Sequence, residues 1–212
     1  MARGIALVAG ATGLVGQQVV AQLAASGAWP EIRALVRRPY ASPPPAPVVP
    51  VVVDFDQADA RLPLIGVTHL FSCLGTTMAQ AGSRDAFRRV DFDIPLLIAR
   101  AARAAGAQHY LLVSAVAAST SSRMFYSQVK AQLEEAVIGL GFRSVTIARP
   151  SMLLGERVHP RLGERIGGVL TRFGPRRFRS VRGSQVAAAL IAAAAADGSG
   201  VRFIENPELL QA

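Results

Sequence analysis

Short apolar runs alternate along this chain with segments whose apolar residues recur three and four apart. Ile5-Ala6-Leu7-Val8 is the first run; it closes at Gly10 and reads as a buried strand. Val15, Val19, Val20 and Leu23 follow at helical spacing, and Gly27 sits where that helix would stop. A second run, Ile32 to Val36, completes a strand, helix, strand unit, and a crossover of that kind favours parallel pairing. The alternation continues. Val51 to Val53 reads as a strand reached through a proline-rich connection from Arg38 to Pro50, and Leu70 to Cys73 reads as another. Ile94 to Ala105 predicts a helix stopped by Gly106, Tyr110 to Val113 a strand, Phe125 to Leu140 a helix and Val145 to Ala148 a strand.

Repeated units of this kind predict an α/β fold, a doubly wound, Rossmann-type parallel sheet flanked by helices. From Pro150 the pattern loosens, with helices expected at Leu162 to Phe173 and Ser184 to Ala196 and a last strand at Val201 to Ile204. Residues 1–212 are expected to form one domain. Its part 151–212 would contribute the substrate side, because ligands in such folds bind beside the carboxyl ends of the strands.

Composition narrows the classes. With 212 residues, 51% hydrophobic and 17% charged, the chain has ample material for a core, which excludes disorder. A single cysteine, Cys73, excludes a disulfide scaffold, fits a reducing compartment and reads as a core residue. The apolar-rich run Val186 to Ala196 is about half the length a membrane span needs, and Gly4, Gly10, Gly13 and Gly16 interrupt any leader-like segment. A cytoplasmic protein with no membrane association is therefore expected. The net charge of +9 raises nucleic acid as a partner, but it comes from arginines scattered over most of the chain and one lysine. Charge alone decides little.

The candidate chemistry begins at Gly10-Ala11-Thr12-Gly13-Leu14-Val15-Gly16, between the first strand and the first helix. Glycines here permit a tight turn, close approach of a diphosphate and close helix–strand packing, and the helix offers its N-terminal N–H groups to phosphate. No Gly-Lys-Ser/Thr follows, which disfavours triphosphate hydrolysis. The second strand runs into Arg37 and Arg38 where an NAD site would carry a carboxylate, so NADP(H) is favoured over NAD(H). Asp54, past the third strand, reads equally as a contact to an adenine edge or as a plain loop residue.

Tyr126 and Lys130, four apart, share a helix face, and Lys130 is the sole lysine of an arginine-rich chain. A neighbouring ammonium favours phenolate and makes the tyrosine a better acid/base at neutral pH. Ser114, at the end of the fifth strand, is placed to orient a carbonyl or hydroxyl. No cluster of cysteine, histidine or acidic residues has metal-ligand spacing, and no metal is expected.

These elements together resemble the short-chain dehydrogenase/reductase superfamily, above all its small atypical branch of Tat-interacting-protein-like oxidoreductases and their bacterial relatives. The resemblance rests on GATGLVG, LVRRP, Cys73-Leu74-Gly75-Thr76-Thr77, Arg89-Val90-Asp91, YSQVK and the stretch Ala148 to Gly155. It implies that Thr12, Gly13, Leu14 and Val15 wrap the diphosphate and that Arg37 and Arg38 take the 2′-phosphate. It further implies that Leu74 and Gly75 pass beside the adenosine ribose, that Tyr126 and Lys130 are the catalytic pair, and that Leu153 and Arg161 lie near the nicotinamide. One departure stands out: where many relatives carry a serine pair, this chain reads Ser114-Ala115, so the hydroxyl comes from Ser114, from Ser119 or Ser121, or turnover is weak.

The expected function is thus an NADP(H)-dependent oxidoreductase acting on an unidentified small-molecule carbonyl or alcohol. The alternative is an NADP(H)-binding regulatory or protein-interaction module with little turnover. The stretch Thr171 to Arg182 packs five arginines with Phe173 and Phe178. It reads as a grip on nucleic-acid phosphates, as a site for an acidic substrate over the cofactor cleft, or as a solvated surface or subunit contact.

Overall fold

In the computed structural model, which describes residues 4–42, 44–55, 62–154, 175–196 and 198–212, the first apolar run forms β1 (Ile5–Ala9). Helix α1 (Gly16–Ala25) crosses to β2 (Ile32–Val36), and β3 (Val48–Val52) and β4 (Val67–Ser72) follow. The rest of the sheet comprises β5 (His109–Val113), β6 (Ser144–Arg149) and β9 (Gly200–Glu205). The order is β3-β2-β1-β4-β5-β6-β9, with every pairing parallel. β1 therefore sits between the two directions of winding, and its carboxyl end with that of β4 forms the topological switch point where such folds bind ligands.

β3 begins three residues earlier than the apolar run suggested and contains Pro50, opposite Ala34 of β2. An edge strand tolerates a residue without an N–H because one of its sides has no partner strand. Among the elements without a clear periodic signal are α2 (Met78–Ala81), α3 (Arg84–Arg88), the short β7 (Leu153–Leu154) and β8 (Val181–Arg182), the last two paired with each other. The expected helix at 162–173 lies outside the described residues.

The alternation of side chains along β1 divides the core into two layers. Ala6 and Val8 pack with Val19 and Leu23 of α1 and with Val186 and Leu190 of α6 (Gly183–Ala195). Leu7 and Ala9 face the other way, against Ile98 and Ala102 of α4 (Ile94–Ala104) and Leu133 and Val137 of α5 (Phe125–Ile138). Each large aliphatic side chain so buried contributes about 1.5–3 kcal/mol. Both faces of the sheet are covered, as an all-parallel sheet requires. No helix among the described residues is long and apolar enough to cross a membrane.

Candidate functional site

The loop after β1 is built by contacts that only glycine allows. Gly10 has φ +79°, and a Cβ there would lie 2.7 Å from the backbone carbonyl of Cys73. A Cβ on Gly16 would lie 2.0 Å from the Gly10 carbonyl oxygen, so the first turn of α1 packs directly on the loop. The Gly13 N–H donates to Gly10 O at 2.9 Å and closes the turn. Thr12 and Gly13 are exposed at the carboxyl edge, whereas the side chains of Leu14 and Val15 are buried in the core. Those two residues can offer a ligand only backbone. The result is a cradle that side chains would fill, at the N-terminus of a helix, and it fits a dinucleotide diphosphate.

Arg37 and Arg38 stand exposed just past β2, and Asp54 is exposed past β3. Leu74 and Gly75 form the β4 exit; Leu74 is half-buried against the α4–α5 layer of the core, and Gly75 is exposed. Leu153 lies in β7, packed against the α1–α6 layer, while Arg161 lies outside the described residues.

On the opposite side of the switch point, α5 carries Tyr126 and Lys130 one turn apart. Tyr126 is half-buried, its ring 5.6 Å from that of the fully buried Phe87. Lys130 is buried, and its Nζ lies 2.8 Å from Oδ1 of Asp91, a residue with no solvent exposure at all. Burial opposes the ammonium charge, but Asp91, with Tyr126 and Glu134 adding to it, more than offsets that cost and holds Lys130 above the ordinary lysine range. The other carboxylate oxygen of Asp91 accepts from the Thr76 N–H at 2.8 Å. One carboxylate thus ties the β4 exit to the lysine, and a Cβ on Gly75 would lie 3.5 Å from Asp91 and 3.6 Å from Lys130 Nζ.

Asp91 lies in a π-helical turn, Arg89–Asp93, inserted between α3 and α4. Such turns are uncommon and concentrate at functional sites. In the sequence, Arg89-Val90-Asp91 stands only as part of a pattern that assigns Asp91 no role. A signal was present: Asp91 falls four after Phe87 and four before Pro95, a carboxylate on an apolar helical stripe. Arg88 Nη1 donates to Gln132 Oε1 at 2.6 Å and fastens this segment to α5.

Ser114 is buried, and its hydroxyl has no hydrogen-bond partner among the described residues. Period-two alternation with Tyr110 and Leu112 puts it on the α4–α5 face of the sheet, the face that also carries Lys130. Ser119 and Ser121 bond to each other through their hydroxyls at 2.9 Å. Cys73 is not a nucleophile at neutral pH, because burial pushes its thiol up to about 12. Among the described residues no group of three histidine, cysteine or acidic side chains could hold a metal.

The family described as NAD(P)H-binding matches residues 10–197 of the chain. The chain belongs to that NAD(P)H-binding family. Among its relatives are FMP52, a mitochondrial protein of Eremothecium gossypii, 36% identical over 97% of this chain and 95% of the relative. Its namesake in Saccharomyces cerevisiae is 33% identical over 82% of this chain and 76% of the relative. These are FMP52 proteins and not the Tat-interacting-protein-like branch to which the motifs pointed. They also overturn the expectation of a cytoplasmic protein, since both relatives are named as mitochondrial.

Solved structures share the fold of this NAD(P)H-binding chain. MoeE5 in complex with UDP-glucose and NAD aligns with a TM-score of 0.73 at 19% identity, over 95% of this chain and 76% of that one. Thermus thermophilus UDP-glucose 4-epimerase in complex with NAD aligns with 0.69 at 18% identity, over 98% and 81%. The oxidoreductase ylbE of Lactococcus lactis aligns with 0.67 at 17% identity, over 98% and 95%.

Proposed function

We propose that this NAD(P)H-binding protein is an oxidoreductase of the short-chain dehydrogenase type that uses NADP(H) to interconvert a carbonyl and an alcohol. The observation that carries the reading is the half-buried Tyr126 one turn from the buried Lys130, itself held by Asp91. A nicotinamide dinucleotide, when bound, supplies or accepts the hydride. In the reducing direction the Tyr126 hydroxyl gives its proton to the carbonyl oxygen. Lys130 favours the phenolate that remains, and the Ser114 hydroxyl, otherwise without a partner, donates to the same oxygen. The reverse direction uses the same groups with the proton returning to Tyr126. Thr12, Gly13 and the backbone at Leu14 and Val15 would hold the diphosphate.

Arg37 and Arg38 support the preference for NADP(H). Both are exposed and neither pairs with a carboxylate among the described residues, and a guanidinium fork matches phosphate oxygens. Calorimetric titration of cofactor-stripped protein with NADPH and then NADH tests this, with tighter NADPH binding expected. Tyr126→Phe is expected to abolish turnover of a carbonyl while leaving NADPH affinity nearly intact; an active variant would refute the assigned proton donor. A mitochondrial location, suggested by the names of the relatives, belongs to the same proposal.

A second reading, an NADP(H)-bound interaction module with little turnover, draws support from Ala115 and from the engagement of Ser119 with Ser121. It predicts partner affinity that differs between the NADPH and NADP⁺ forms.

A further inference from the structure

One buried polar side chain outside the tyrosine–lysine–aspartate cluster has an organising role that the chemistry above does not use. Asn206, the first residue of α7 (Asn206–Leu209), has no solvent exposure, and its amide is fully engaged. Its Oδ1 accepts from the Ser151 N–H at 2.8 Å, and its Nδ2 donates to the carbonyls of Arg176 at 3.0 Å and Arg179 at 2.8 Å. Ser151 Oγ adds a bond to Phe178 O at 3.0 Å, and β7 pairs with β8 immediately beyond. The helical turn Arg176–Phe178 is thereby pinned to the exit of β6 from both of its ends. A solvated turn needs no such clamp.

The pinned turn presents two exposed cations, Arg176 and Arg177. Neither meets a carboxylate among the described residues; Arg177 lies over the ring of Phe178. The acidic residues beside the clamp are committed elsewhere, Glu205 to Arg149 at 3.2 Å and Glu208 to Arg202 at 2.5 Å. The turn is also too far from Arg37 and Arg38 to serve the same phosphate. β2 and β6 are four strand spacings apart, about 19 Å. The turn sits instead at the carboxyl ends of β6 and β9, the edge of the sheet at which ligands bind in such folds.

We infer that the turn carrying Arg176 and Arg177 is the anion subsite for the substrate, which is a carbonyl or alcohol compound bearing a carboxylate or phosphate group. This rests on the oxidoreductase reading above. Fixed backbone origins for two guanidiniums reduce the ordering cost of gripping an anion, which is what the Asn206 clamp supplies.

The test uses two probes of the same shape, 4-formylbenzoate and its methyl ester, titrated calorimetrically into the full chain saturated with NADP⁺. Tighter binding of the carboxylate, weakened by added salt, is expected. The double variant Arg176→Ala/Arg177→Ala should lose about tenfold in carboxylate affinity while its affinity for the ester and for NADP⁺ stays unchanged. Asn206→Asp, which loses both donors, should reduce the same carboxylate-over-ester preference, a change that general destabilisation would not produce; the exposed arginine pair keeps the test open if that variant does not fold. Equal binding of the two probes by a chain that binds NADP⁺ overturns the anion subsite alone. A chain that fails to bind NADP⁺ overturns it together with the oxidoreductase reading. Equal binding accompanied by arginine-dependent capture of a single-stranded oligonucleotide would assign the turn to nucleic acid instead.

Discussion

Removing the Asp91 carboxylate should be among the most damaging single changes the chain can suffer. Asp91→Ala leaves the Lys130 ammonium buried with its nearest counter-charge gone, and the Thr76 N–H without its acceptor. Breaking a buried ion pair from one side costs about 3–5 kcal/mol, against a total stability of roughly 5–15 kcal/mol for a domain. At 2–4 °C per kcal/mol for a chain of this size, the melting temperature should fall by roughly 6–20 °C. Urea denaturation can follow this through the single tryptophan, Trp29, which is buried in the α1–α6 layer. The decisive comparison is Asp91→Ala/Lys130→Met, in which both charges are gone. Its destabilisation should be at least about 1 kcal/mol smaller than the sum of the two single variants, because neither charge is then stranded. Strict additivity, or a cost below about 1 kcal/mol for Asp91→Ala, would show that the pair is not coupled and that Asp91 does not hold the lysine.

Other parts of the site give sharper single readings. Gly10→Ala must place a methyl group 2.7 Å from the Cys73 carbonyl at φ +79°, so it should cost about 2 kcal/mol or more and abolish NADPH binding by calorimetry; retained affinity would sink the diphosphate cradle. Arg37→Ala/Arg38→Ala should weaken NADPH about tenfold with NADH unchanged, and a parallel loss for both cofactors would contradict the 2′-phosphate assignment. Cys73 has its thiol raised from 9.0 to about 12, so its contribution is fully present below pH 9 and is lost as pH rises toward 12. Between pH 8 and 10 that loss is about 1 kcal/mol, and it should vanish from the pH dependence of denaturation in Cys73→Ala.

The interior strands of the sheet were legible because each contains a short apolar run, and buried parallel strands need apolar side chains on both faces. The glycine loop was legible from its spacing, which brings Gly13 and Gly16 onto the Gly10 carbonyl within seven residues, whereas the contact of Gly10 with the Cys73 backbone is remote in sequence. Asp91 was not, since its role depends on a lysine 39 positions later and on a π turn that no local periodicity announces. Asn206 escaped for the same cause, a side chain whose partners are remote in sequence. β3 was placed late because Pro50 reads as a strand breaker until the strand is known to lie at an edge. Ser114 was correctly located at a strand end, whereas the orphan state of its hydroxyl is a property of packing alone.

The Asn206 clamp also orders events in time. Every partner of that side chain precedes it, the nearest by 27 residues, so the arginine turn leaves the ribosome well before the amide that pins it. The phosphate loop, by contrast, is closed by contacts between Gly10 and the Cys73–Leu74 backbone, all complete by residue 74. The nascent protein therefore completes its nucleotide half early and carries an unfastened second half until β9 and α7 arrive. A chain cut just before Asn206 would keep the cradle and lose the fastening.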